Sequence, residues 1–370
     1  MKVLILTCKT GQGHNSSAAA IKESFDKRGI ECDIQDNAAM MSKLGAILMD
    51  KAFTGVYLYM PKFFNKGYSM TEFRIGRICS ADMFASALML FSRRLRRYIT
   101  ENGYTHVIAV HLLSAVMISA MNKKKTLGVK TAFLSTDYTL LPFISNTELD
   151  LYLMPHEDLA DLYVDKGIPR EKHAYTGIPV RRDFTEYSGS REEARRELDL
   201  PTDSKVAFIM GGSMGCGPIE ELVETIAKSK DENLRILVCC GTNKQLLKSL
   251  EKSEDVRIRA FSYSNNIPTI LRATDVFVTK PGGISITEAG VMGVPTVLLN
   301  AIGGCETPNF NFFTSHGFAF GASDISDVAK HCNAVLTNEE AGKEKREKLN
   351  TAFAKSSADE IANAVIELGE

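Results

Sequence analysis

Three histidines and one aspartate stand where apolar runs end in the first half of the chain: His14 beyond residues 2–7, His111 beyond 106–110, Asp137 beyond 129–135 and His156 beyond 149–154. An imidazole or a carboxylate held at such a place can take a proton from a hydroxyl. In the second half a β-branched run, residues 276–279, ends in Lys280-Pro281-Gly282-Gly283, and Glu288 follows on what reads as a helix. Two glycines let a backbone approach an anion closely, and the N–H groups of a helix start then face it. Pyrophosphate suits that turn, and Glu288 is placed to accept hydrogen bonds from ribose hydroxyls. The alternative for Gly-Gly after a strand is a tight strand-to-helix connection that binds nothing.

The elements that position these residues alternate between strand and helix. Residues 2–7 read as a buried strand, followed by the loop Lys9-Thr10-Gly11-Gln12-Gly13-His14 and a helix from about Asn15, with Ala18, Ile21 and Phe25 on one face. The loop lacks the G-K-[ST] end of a Walker A motif, and Ser16 stands where the dinucleotide fingerprint has its third small residue. His14 at this turn is a candidate base or positioning group; the other reading is a histidine that caps the helix. Asp36 ends a second strand. After Gly177-Ile178-Pro179-Val180, which reads as a linker, the pattern restarts with a strand over 205–210, a second glycine loop over 211–217 and a helix from Pro218. Strand-like runs at 234–240, 256–261 and 275–279 continue it, so each half is a parallel sheet covered by helices. A last helix is expected over 342–368, with a kink at Ser356-Ser357.

At 370 residues the chain is long enough for two cores. A net charge of −1 gives no global case for nucleic acid as a partner. The eight cysteines are scattered with no C-x-x-C pair, which argues against zinc and a disulfide framework and suits a reducing cytoplasm. No apolar run reaches the roughly 20 residues that span a bilayer. Residues 57–77 interleave aromatic and basic side chains, among them Lys62, Phe63, Phe64, Lys66, Arg74 and Arg77. Such a mixture suits peripheral docking on an anionic membrane. The following heptad face, Phe84, Leu88, Phe91, Leu95 and Tyr98, reads as ordinary core.

Several ordered motifs carry a resemblance. They are Gly11-Gln12-Gly13-His14, His111, Ser135-Thr136-Asp137, Thr176 to Arg181, Thr279-Lys280-Pro281-Gly282-Gly283 with Thr287-Glu288-Ala289, and Asn309 to Phe313. With them the chain resembles, end to end, the monogalactosyldiacylglycerol synthase and processive diacylglycerol glucosyltransferase family. That family is itself similar to the lipid-linked N-acetylglucosaminyltransferase of peptidoglycan assembly. The resemblance implies the glycosyltransferase B fold: an acceptor- and membrane-facing Rossmann-like domain over 1–180 and a nucleotide-sugar domain over 181–345, facing across a cleft, with the helical segment 346–370 packing back on the first.

It implies an inverting transfer of a hexose from a UDP-sugar to diacylglycerol or a glycosyldiacylglycerol at the inner membrane surface. His14 and Asp137 are the candidate bases, with Gly13 and His111 on the acceptor side. On the donor side Glu288 would hold the ribose, Gly282, Gly283, Ile284 and Ser285 the pyrophosphate, and Phe261 and Ser262 the base. Glu306, Asn309 and Asn311 would line the sugar, and Ser213 would approach the phosphates across the cleft. No D-x-D pair stands where a metal-bridged donor needs it, so neither metal nor cofactor is expected, with the UDP-sugar a co-substrate. Departures are Leu112 and the stretch from Tyr138 to Phe143, which bear on the acceptor, and Cys305, which bears on the sugar. The alternatives are a UDP-sugar transferase with a non-lipid acceptor, a UDP-N-acetylglucosamine 2-epimerase-like enzyme, and a non-catalytic nucleotide-sugar sensor.

Overall fold

Val3, Leu4, Ile5 and Leu6 are apolar in succession rather than in alternation, the pattern of a strand covered on both faces, and each is fully buried. In the computed structural model, which describes residues 1–8, 12–37, 93–124, 127–141, 143–299, 306–353 and 356–369, that run is the second strand from one edge of a six-stranded parallel sheet. The chain divides into two units, Met1–Arg181 with Lys355–Glu370, and Arg182–Ala354.

The first unit contains β1 (Lys2–Thr7), α1 (Gln12–Lys27), β2 (Glu31–Asp36), β3 (His106–Ala109), α2 (Leu112–Lys123), β4 (Lys130–Leu134), β5 (Leu151–Met154) and β6 (His173–Tyr175). The sheet order is β2-β1-β3-β4-β5-β6, with Val3 in register with Cys32 on one side and His106 on the other. The chain therefore turns one way from β1 to β2 and the other way from β1 to β3. Between β1 and β3 lies the switch point, where the carboxyl ends of two neighbouring strands diverge into helices on opposite faces and leave a crevice.

The second unit contains α3 (Arg191–Glu197), β7 (Lys205–Met210), α4 (Ile219–Ala227), β8 (Leu234–Cys239), α5 (Lys244–Leu250), β9 (Ile258–Phe261), α6 (Ile267–Ala273), β10 (Val276–Thr279), α7 (Gly283–Val291), β11 (Thr296–Leu299), α8 (Glu306–Ser315), β12 (Ala319–Ala322), α9 (Ile325–Thr337) and α10 (Glu339–Ala352). Ser190 opens α3 with a capping box, its hydroxyl accepting from the Glu193 N–H at 3.1 Å while Glu193 accepts from the Ser190 N–H at 2.7 Å. The sheet order β12-β11-β10-β7-β8-β9 puts this unit's switch point between β7 and β10.

Three expectations change. The helix expected as one piece near the end is two, α10 and α11 (Ser357–Glu367), assigned to different units. Ile361, Ala362 and Val365 of α11 join the core of the first unit, and Arg28, just past the end of α1, pairs with Asp359 at 2.9 Å. Residues 177–180 are no loose linker, because Ile178 and Val180 are buried and Ser17 donates to the Pro179 carbonyl at 3.2 Å. The strand expected from Val256 begins at Ile258, and Val256 is 95% exposed. The heptad reading meets the structure only at its end: residues 93–101 are helical, Leu95 is buried, and Arg93, Arg94, Arg96 and Arg97 are exposed. Among the described residues no helix is long and apolar enough to cross a membrane. The docking residues Lys62, Phe63, Phe64, Lys66, Arg74 and Arg77 lie outside the described residues.

Candidate active site

Each switch point carries some of the residues that the sequence singles out. In the first unit α1 begins at Gln12, earlier than the periodicity indicates, so Gly13 and His14 sit in its first turn. Thr7 at the end of β1 donates to the Asn15 side chain at 2.9 Å and fixes that turn over the strand. His14 meets His111 edge to face, with ring centroids 5.1 Å apart and planes at 86°. Thr136, in the loop after β4, brings its hydroxyl to 3.4 Å from His14 Nδ1. Asp137 follows in the same loop, half-buried, with its carbonyl accepting from Ser135 Oγ at 3.0 Å.

The histidines divide by role. His111 is the N-cap of α2, its Nδ1 accepting from the Leu113 N–H at 3.2 Å, and His156 accepts from the Asp158 N–H in the same way. Capping thus explains His111 and His156, and His14 is a residue of the first helical turn instead. A neutral imidazole that accepts at Nδ1 carries its proton on Nε2, so His111 presents a donor. Burial draws the His14 imidazole down to about 4 against a hydrogen bond to the Val110 backbone that opposes the shift. Burial takes His111 to about 3, with repulsion from His14 adding to it. Both rings are neutral at pH 7.

In the second unit Thr279 Oγ1 donates to the Met210 carbonyl at 2.8 Å, tying the carboxyl end of β10 to that of β7. Gly282 is the extended N-cap of α7, and Gly283, Ile284 and Ser285 are its first three residues. Their N–H groups precede the first intrahelical bond, which makes this turn a donor cluster at the positive end of the helix dipole. Glu288 stands half-buried on the same helix. Asn309 of α8 is fully buried and donates to the Pro281 carbonyl at 3.0 Å. Lys280 and Glu306 form an ion pair, with side chains 19% and 6% exposed. Asn311 is exposed and lies about 200° round α8 from Asn309, so it does not join that face.

The second glycine loop is shaped mainly by loop-on-loop packing. A Cβ on Gly215 would stand 2.1 Å from the Cys240 carbonyl oxygen, and one on Gly241 2.2 Å from the Ser213 carbonyl oxygen. Gly212, at φ +73°, instead has Lys280 as its neighbour. Ser213 lies in the loop after β7, the strand that pairs with the β10 leading to the Lys280 turn, and so belongs to the same unit as that turn rather than to an opposing domain. Phe261 ends β9 and stacks on Phe208 with centroids 6.3 Å apart. With the exposed Ser262 it lines a cavity of about 270 Å³ that Leu237, Arg259 and Ile270 also line.

Comparison with known proteins places this geometry. Residues 14–180 match the model of monogalactosyldiacylglycerol (MGDG) synthase, and residues 190–356 that of glycosyl transferases group 1. The chain is a glycosyltransferase of the B fold. A processive diacylglycerol beta-glucosyltransferase of Bacillus cereus (strain B4264) is 27% identical over 99% of this chain and 93% of the relative. Among solved structures, MurG of Acinetobacter baumannii superposes at a TM-score of 0.62, with 14% identity and 99% of both chains covered. The UDP-GlcNAc 2-epimerase of Neisseria meningitidis, bound to UDP-GlcNAc, gives 0.64 at 12% identity over 99% of this chain and all of the other. Both likenesses concern the fold.

Two participants escaped the sequence reading. Lys280 was visible as a basic residue entering the Pro-Gly-Gly turn but was given no role, and its pairing with Glu306, itself expected on the sugar side, could be found only in three dimensions. Tyr163 is fully buried and near enough to Ser135 and Asp137 to feel both. Nothing in its local sequence marks it.

Proposed function

We propose that this hexosyltransferase moves a hexose from a UDP-sugar to the hydroxyl of diacylglycerol or a glycosyldiacylglycerol, with inversion at the sugar carbon and from a peripheral position on the inner membrane face. The observation that carries the donor half is the coincidence, at the β7/β10 switch point, of a glycine-rich loop, the amino end of α7 and Lys280. A diphosphate placed there meets backbone N–H groups, a helix dipole and an ammonium. The lipid acceptor draws its support from the synthase match of the first half and from the printed activity of the Bacillus cereus relative.

In the reaction the acceptor oxygen attacks the anomeric carbon from the face opposite UDP. The bond from that carbon to the diphosphate oxygen breaks, its electron pair leaves with UDP, and the acceptor proton passes to His14 or Asp137. His14, neutral at pH 7, has a lone pair for it. His111, fixed as a donor at Nε2, orients an acceptor oxygen. Glu288 takes the ribose hydroxyls, and the cavity beside Phe261 and Ser262 takes the base. The charge of the leaving diphosphate is met by α7 and Lys280, so the reaction proceeds without a metal.

Incubation of the full chain with radiolabelled UDP-glucose and UDP-galactose and mixed diacylglycerol vesicles, with and without EDTA, tests this. Expected are a lipid-extractable labelled product that EDTA does not reduce, and His14→Ala and Asp137→Asn variants that lose transfer by at least about 100-fold while still binding UDP. Donor turnover with only soluble product would defeat the lipid acceptor. UDP binding without turnover of any hexose donor would favour a sensor.

A further inference from the structure

Lys280 occupies an electrostatically awkward place. It stands two residues before the N-cap of α7, with its ammonium close to the helix start, where the dipole is positive and a cation is disfavoured. Its Cε lies 3.0 Å from where a Cβ on Gly212 would stand, and its Nζ 3.9 Å from the corresponding point on Gly282. The ammonium thus sits where the two glycine turns approach, on ground cleared of side chains. Its compensation is the Glu306 carboxylate, buried at the start of α8. One turn further along, Asn309 is bonded to the Pro281 carbonyl, so α8 and the turn are held as one piece. Cys216 of the glycine loop is near enough to feel both charges.

An anion is what this arrangement calls for, and Glu306 supplies one from within the chain. We propose that Glu306 is an internal stand-in for the donor's diphosphate: on donor binding Lys280 passes from Glu306 to the diphosphate, and the released carboxylate turns to the hexose hydroxyls. This rests on the UDP-sugar reading above.

The exchange couples the two halves of donor recognition. UDP alone must break the ion pair and leave a buried carboxylate without its cation, which is costly. A UDP-hexose breaks the same pair but offers hydroxyls in return. After transfer the product is UDP without its sugar, and Glu306 reclaims Lys280, which favours release. The site therefore discriminates the intact donor from the product at a single ion pair.

The test is calorimetric titration of the full chain with UDP and with UDP-glucose, comparing wild type, Glu306→Gln, Lys280→Met and the doubly substituted chain. If the exchange operates, Glu306→Gln binds UDP roughly tenfold tighter, because Lys280 is released to the phosphates, and its preference for UDP-glucose over UDP falls. Lys280→Met weakens UDP by about tenfold, and in that background Glu306→Gln changes UDP affinity by less than about twofold. Should Glu306→Gln leave UDP affinity unchanged and weaken UDP-glucose alone, the carboxylate is only a sugar ligand and the exchange is wrong. A gain that persists without Lys280 refutes it equally. Melting curves identify any variant that fails to fold. If Lys280→Met does, Glu306→Gln beside the doubly substituted chain, in which no charge is left buried, still decides. Wild type that binds neither nucleotide overturns the donor reading itself, an outcome distinct from all of these.

Discussion

Neutral His14 is stabilised by the fold, and this makes the first unit acid-sensitive in a window that can be calculated. An exposed histidine titrates near 6.5, and His14 in the folded chain at about 4. The folded pKa is the lower one, so the unfolded chain binds the proton first as pH falls. The stabilisation is complete above about 6.5, is lost progressively below it, and is gone below about 4. At pH 7.5 the linkage is negligible. At pH 5 the unfolded imidazole is almost fully protonated and the folded one hardly at all, a difference of about 2 kcal/mol. Water reaching the exposed part of His14 makes that an upper figure.

His14→Gln keeps a polar side chain and has no proton to bind. Urea unfolding at pH 7.5 and pH 5 should therefore show the wild type losing up to about 2 kcal/mol more than the variant between the two values. Carbon-edited NMR of the imidazoles gives the direct check: the resonances lost in His14→Gln should not move between pH 8 and pH 5.5. His111 predicts a similar loss, but the two rings touch and their effects will not add. An imidazole assigned to His14 that titrates near 6.5, or equal pH dependence in wild type and variant, would refute the reasoning. It would also restore the ordinary acid limb to any transfer that uses His14 as base.

Gly241→Ala, at φ +56° with its new Cβ 2.2 Å from the Ser213 carbonyl oxygen, should displace the glycine loop and weaken UDP by at least about tenfold in calorimetry. Ile361→Ala empties a fully buried position of α11 in the first unit's core and should cost about 2–5 kcal/mol in that unit's unfolding, with UDP affinity unchanged. Glu288→Gln should weaken UDP more than 2′,3′-dideoxy-UDP, and equal loss for both would remove the ribose role.

Local pattern was enough to show two parallel-sheet units and their turns. Successive apolar residues such as Val3 to Leu6 can be satisfied only between two layers, and a glycine at the end of such a run marks a turn that side chains would block. The motif residues from Thr279 to Gly283 likewise marked a strand-to-helix turn before any strand order was known. Strand order itself belongs to the tertiary structure. It places β1 beside β3 and β7 beside β10, and so decides which of the polar strand ends share a crevice: His14 with His111, the second glycine loop with Lys280.

The same holds for finer assignments. Phase on a helix removes Asn311 from the face that Asn309 and Glu306 share, although all three lie within six residues. Gly215 belongs to the second glycine loop of the sequence and is spent on loop packing, as is Gly241 beside that loop. Ser356-Ser357 reads as a kink, and the structure ends one helix there and sends the next into the other unit's core, because Ile361 and Val365 find their cover beside β1 and α1. Sequence fixes what each segment needs to bury or to bind. Which distant segment meets that need, as Glu306 does for Lys280, is a property of the packed chain, since burial and charge pairing depend on neighbours that local spacing does not specify.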